Sequence, residues 1–197
     1  YRSVYNHRLN VVCNWLLERL VRLARQLGPD LVWADGVMQR WLWNAEELDL
    51  DSFLANDDVR TGYHLQRWQE EGPPALASLC RRFRERDLLK ATAVTQLTRE
   101  EQLQALAVAG RLAEQRGIDP SLSCGLRHQE LRGYHPYRGG LRLWDGEQMQ
   151  ALEEASPLVA SLATPAATSW LIHPREIQKE LRRTMDVEWG SSLTSDR

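Results

Sequence analysis

From residue 3 to residue 27 the apolar positions follow a helical period. Val12, Leu16, Leu20, Leu23 and Leu27 recur at steps of four, four, three and four, while Arg19, Arg22 and Arg25 fall on another side. Gly28-Pro29 ends this helix, and Asp30 is placed to cap a second one over "LVWADGVMQRWLW". The stretch "EELDLDSFLANDDVRTGYHLQRWQEE" predicts a short helix and then a longer one, with Asn56 or Asp57 as the cap between them. Pro73-Pro74 starts a further helix through "ALASLCRRFRERDLLK". The first 90 residues thus read as helical almost throughout.

The pattern then changes. "ATAVTQL" is short and β-branched, a strand signature, and "TREEQLQALAVAGRLAEQRG" predicts a helix with a Thr98–Glu101 capping box and a terminal Gly117. "SLSCGLRHQELRGYHPYRGG" reads as loop with room for one strand, and "LRLWDGEQM" as a strand entering an Asp-Gly turn. "QALEEASPLVASLA" predicts a helix broken near Ser156-Pro157, "TSWLIHP" a strand, and "PREIQKELRRTM" a last helix with Pro174 in its first turn. The expected fold is α+β and predominantly α-helical: a helical first half, then a small antiparallel sheet with helices. The expected divisions are a helical part over 1–91, an α+β subdomain over 92–184 and a disordered tail over 185–197. No internal repeat interrupts this order.

Composition adds limits. The 197 residues suffice for one domain or a domain with a small appendage. A net charge of −2 gives no bulk attraction to nucleic acid or membrane, so any phosphate binding must come from a local cluster. Three well-separated cysteines (Cys13, Cys80, Cys124) do not make a disulfide framework and fit a reducing compartment, with a cytoplasmic location as the default. Eight tryptophans are many for this length; four of them (Trp15, Trp33, Trp41, Trp43) lie in the first quarter, as in a well-filled core or a buried subunit contact.

Candidate chemistry is sparse. If the helix starting at Pro73-Pro74 continues to Lys90, then Arg82, Arg86 and Lys90 share one face over roughly 12 Å, about the reach of a triphosphate. The same three residues also suit a solvated basic face beside Glu85 and Asp87. Tyr5, His7 and Arg8 pair a ring with cations at the start of the first helix, which suits either a nucleotide contact or a wet helix end. Cys124, His128 and His135 match no common zinc spacing. The acidic run with Asp49, Asp51, Asp57 and Asp58 lacks the glycine and glutamate of a calcium loop and reads as helix capping. There is no glycine-rich phosphate loop, no nucleophile elbow around Ser156 and no His-Asp dipeptide. No complete catalytic set is visible.

Three stretches in order carry a resemblance. "YRSVYNHRLNVVCNWLLERL" resembles the Arg-x-x-Tyr-x-His-(Lys/Arg) helix of the HD-domain phosphohydrolases, in the branch that includes the deoxynucleoside triphosphate triphosphohydrolases. "LDLDSFLANDDV…RRFRERDLLKAT" is similar to that family's acidic helix start and its Arg-x-Leu-(Phe/Leu)-Lys element. "HPYRGGLRLWDGEQMQALEEASPLVASL…WLIHPREI" is similar to the distal segment of bacterial members.

The resemblance implies that Tyr5 matches a tyrosine contacting the substrate deoxynucleotide. It matches His7 and Arg8 to a His-Lys pair facing a regulatory nucleotide, and Arg86 and Lys90 to residues gripping that nucleotide's phosphates. Arg82 has no family role. The family's metal ligands, a histidine, a His-Asp pair and a later aspartate, would precede Tyr1. The chain is therefore expected to be the C-terminal part of a longer enzyme, inactive alone, with no metal of its own. The full-length enzyme is expected to use a divalent ion (magnesium, manganese, iron or zinc) to activate water at an α-phosphate. Its implied partners are a deoxynucleoside triphosphate, the upstream HD-containing part and further copies of itself; no membrane or nucleic acid is expected. The other reading is a helical protein–protein interaction module with no nucleotide role.

Overall fold

The longest apolar stripe of the sequence becomes the axis of the first core. The computed structural model describes residues 8–131, 140–163 and 166–190. Helix α1 (Arg8–Leu27) buries Val11, Val12, Trp15, Leu16, Leu20 and Ala24. Gly28, with φ of +81°, ends it in the left-handed conformation that glycine adopts without a Cβ clash. The next cap differs from the sequence expectation. Residues 29–35 are not helical; Val32 N–H folds back onto Gly28 O and Val32 enters the core. Helix α2 (Gly36–Leu42) is capped by Asp35, which accepts from Met38 N–H.

Helices α3 (Leu50–Ala55) and α4 (Asp58–Glu71) follow, capped by Asp49 and Asp57 as the acidic run suggested. Helix α5 (Pro74–Arg84) returns against α4 and α1. It closes six residues before the sequence pattern predicts, and Lys90 instead opens β1 (Lys90–Ala93).

The second half is built on a three-stranded antiparallel sheet of order β1-β5-β2, with β2 at Gly125–Leu131 and β5 at Ala166–His173. In register, Lys90 faces His173 on one side of β5, and Gly125 faces Ile172 on the other. Helix α6 (Arg99–Glu114) carries the expected Thr98–Glu101 capping box. A short helix α7 (Pro120–Ser123) leads into β2. A hairpin of β3 (Arg142–Trp144) and β4 (Met149–Ala151) turns through Asp145-Gly146, then α8 (Leu152–Ala155) and α9 (Pro157–Ala163) break at Ser156. After β5, a 3-10 turn (Arg175–Ile177) opens α10 (Gln178–Trp189). Met185 is buried and the helix runs to Trp189, so residues 185–189 are helix where the sequence reading placed a disordered tail.

Strand β5 joins two cores by the alternation of its side chains. Ile172 and Trp170 face the α1 side, while Leu171 packs with Val94, Ala109, Ile177, Leu181 and Met185 toward α6 and α10. The fold is α+β and mostly helical, with a small antiparallel sheet.

Candidate functional site

The residues singled out from sequence fall around the start of α1 and the segment that links α5 to β1. Arg8 is exposed and begins α1; Tyr5 and His7 lie outside the described residues. Arg86 and Lys90 are not on a helical face with Arg82. Glu85 ends α5, its N–H bonded to Arg81 O, and Arg86 then takes φ of +56°. The chain reverses there, Leu89 sinks into the first core, and Lys90 enters the sheet. A continuous helix would have pulled Leu89 out of that core and deprived β5 of its edge partner.

The two cations therefore serve different surroundings. Arg86 approaches α1: burial raises the Cys13 thiol above its usual range, and the Arg86 guanidinium acts on it in the opposite sense. Cys13 lies five residues beyond Arg8, roughly 7.5 Å along the helix axis. Arg86 is thus near the Cys13 turn of α1, while Arg8 lies at the start of that helix. Lys90 sits directly across the strand pair from His173. That imidazole is fully buried, and burial, with Lys90 and Arg182 in support, holds its pKa below 6.5.

Arg82 reaches inward instead. Only 18% of its side chain is exposed, and its two terminal nitrogens stand 3.5 Å from Asp87 Oδ2 and 3.5 Å from Glu176 Oε1. The resemblance gave Arg82 no role, and the helical reading offered it as a phosphate cation beside Arg86 and Lys90, from which the end of α5 separates it. Its five-residue separation from Asp87 fits no helical pairing, and Glu176 lies on a distant segment that nothing local connects to it.

The other candidates resolve into structure. Cys124 is buried, which raises its thiol pKa, and His128 Nδ1 lies 3.0 Å from Ser169 Oγ across β2 and β5. His135 lies outside the described residues. Among the described residues no group of three His, Cys, Asp or Glu side chains could hold a metal ion, so no chemical step is assigned to them through one. Of the early tryptophans Trp15 is buried, Trp41 and Trp43 are half-buried and Trp33 is exposed. The edge of Trp15 lies beside Gly125, Trp41 stacks on Phe53 at 5.2 Å, and Trp43 donates to Arg25 O. The Trp33 ring stacks with that of His64 at 4.9 Å and carries the Arg67 guanidinium over it at 3.9 Å. No helix of the described residues is long and apolar enough to cross a membrane.

No family model matches the chain. It is 24% identical over 187 residues to the uncharacterized protein YwfO of Bacillus subtilis, a match that spans 90% of this chain and 42% of that protein. Among solved structures it superimposes on a phosphohydrolase from Bacteroides thetaiotaomicron with a TM-score of 0.67 at 17% identity, covering 88% of this chain and 46% of the other. A hypothetical protein from Aquifex aeolicus gives 0.58 at 18% identity, covering 94% and 41%. The chain therefore has a phosphohydrolase-like fold and spans less than half the length of these relatives.

Proposed function

We propose that this chain is the nucleotide-contacting, subunit-contacting part of a metal-dependent HD-type phosphohydrolase, one that hydrolyses deoxynucleoside triphosphates. Arg86 and Lys90 grip phosphate groups, Arg8 and His7 face the same regulatory nucleotide, and Tyr5 lines the substrate site. The metal ligands belong to another part of the enzyme. Three supports stand behind this reading: the ordered resemblance of three stretches, the phosphohydrolase-like fold, and the backbone of Arg86.

That backbone carries most weight. Among the described residues, Gly28, Gly117, Gly140, Gly146 and Gly190 have positive φ, and Arg86 is the one non-glycine that does. A left-handed conformation costs an L-residue roughly 1–2 kcal/mol, and glycine is the usual occupant just past a helix end. Such strained residues persist where the surroundings impose them and cluster at ligand clamps, which is what makes Arg86 a candidate for the phosphate grip.

The test is calorimetric titration of deoxynucleoside triphosphates into the purified protein, beside thermal melting. Arg86→Gly is expected to raise Tm while weakening binding, and Lys90→Glu to weaken binding as well. If Arg86→Gly binds nucleotide as the parent does, the phosphate role is lost. The 197-residue chain alone is expected to show no hydrolysis with manganese or magnesium; turnover that persists through purification would overturn the assignment of the metal site elsewhere.

A further inference from the structure

Arg82 leaves α5 two residues before its end and meets two carboxylates from two other segments. Asp87 lies in the link to β1 and Glu176 in the 3-10 turn before α10, each 3.5 Å from a guanidinium nitrogen. Nη1 is buried and makes no hydrogen bond, so its nearby charge partner is electrostatic. The link is pinned at its far end by Leu89, 1% exposed, and by the Lys90–His173 pairing. Between these points stands Arg86, next to Asp87 and in a conformation that survives only where its surroundings impose it. The Arg82–Asp87 contact is the polar restraint closest to it among the described ion pairs.

Arg82 is not itself suited to an anion. Its one positive charge already faces two carboxylates, which compete with any phosphate for it. We propose that Arg82 is a positioning residue for the segment Arg86–Lys90: through Asp87 it holds Arg86 in its left-handed conformation, and through Glu176 it couples that segment to α10. The consequence for phosphate binding rests on the reading of Arg86 and Lys90 given above.

Two measurements test it. The first needs no ligand: backbone NMR couplings and carbon shifts of Arg86 report its φ in the parent, Arg82→Met, Asp87→Asn and Glu176→Gln proteins. Loss of the left-handed state in Arg82→Met and Asp87→Asn is expected. Its persistence in both overturns the proposal, whatever the site binds. Asp87→Asn and Glu176→Gln leave the core untouched, so they remain informative if Arg82→Met fails to fold.

The second is titration of sodium tripolyphosphate. Arg82→Met is expected to weaken binding on the order of threefold to tenfold. Asp87→Asn is expected to weaken it too, although it removes a negative charge. A simple charge effect predicts the opposite, so tighter binding by Asp87→Asn overturns the positioning role. If Arg86→Ala and Lys90→Ala weaken binding while Arg82→Met and Asp87→Asn do not, this inference falls and the phosphate reading stands. If Arg86→Ala and Lys90→Ala change nothing, the phosphate reading falls, and the NMR result alone judges the hold on Arg86.

Discussion

Thr92 Oγ1 lies 3.0 Å from His173 Nε2, a side-chain bond that ties β1 to the buried end of β5. His173 Nδ1 is 2.9 Å from Pro174 O, which can only accept, so Nδ1 carries the proton. Nε2 is then a lone pair that accepts from the threonine hydroxyl. The ring is neutral, and burial lowers its pKa below the ordinary 6.5. In the window between the folded pKa and 6.5 the unfolded chain binds more protons, so the contribution is intact above 6.5 and is lost as pH falls through the folded value. Urea denaturation between about pH 5 and pH 7.5 is expected to show stability falling toward acid, with a shallower fall in His173→Gln. Equal slopes in both proteins would refute this. Thr92→Val leaves Nε2 without a donor and is expected to cost about 1–3 kcal/mol at neutral pH.

Gly125 faces Trp15 at a distance that admits no side chain. A Cβ there would stand 2.7 Å from Trp15 Cζ2, a ring carbon. Trp15 is 4% exposed and cannot swing away without opening the first core. Gly125→Ala is expected to destabilise the protein by about 1–3 kcal/mol and to shift tryptophan fluorescence to the red. An unchanged melting curve would show that α1 and β2 slide apart freely.

Asp35 joins the start of its own helix to two residues of α4, Arg60 and His64. Its Oδ1 accepts from Met38 N–H at 2.9 Å as the cap of α2, and Oδ2 meets Arg60 Nη1 at 2.9 Å. Its own N–H donates to His64 Nε2 at 3.2 Å, a bond that survives side-chain truncation. Asp35→Ala should therefore cost about 1–2 kcal/mol, chiefly through the lost cap. Asp35→Asn keeps a capping oxygen and should recover most of that loss; recovery of none would point to the Arg60 pair instead.

The three thiols should differ in reactivity. Cys80 is buried, and desolvation pushes its pKa up to about 12. Cys124 is buried and raised in the same way, while Cys13 is part-exposed. Ellman's reagent at mildly alkaline pH is expected to titrate at most one thiol, Cys13, in the native protein and all three in urea. Rapid reaction of Cys80 without denaturant would contradict the packing of α5.

Much of the helical architecture could be read from the chain because its determinants are local. The α1 stripe, the Asp57 cap and the Thr98–Glu101 box all lie within a few residues of the turns they govern. The failures were also physical. "CRRFRERDLLK" is rich in helix formers, so local propensity carries a helix through to Lys90. Burial of Leu89 and pairing of Lys90 with His173 override it. Asp30 satisfied the cap rule as well as Asp35 did, and contact with His64 and Arg60 on α4 favoured the latter.

By itself the sequence determined the α+β, mostly helical class, the apolar stripe of α1 and the caps at Asp57 and Thr98. Only the tertiary structure decided that α5 stops at Arg84, that Arg86 turns left-handed, and that Arg82 faces Asp87 and Glu176 rather than solvent. Helix caps and periodicity act over one or two turns, whereas the sheet order β1-β5-β2 and the Arg82 contacts join residues that only the collapsed chain brings together.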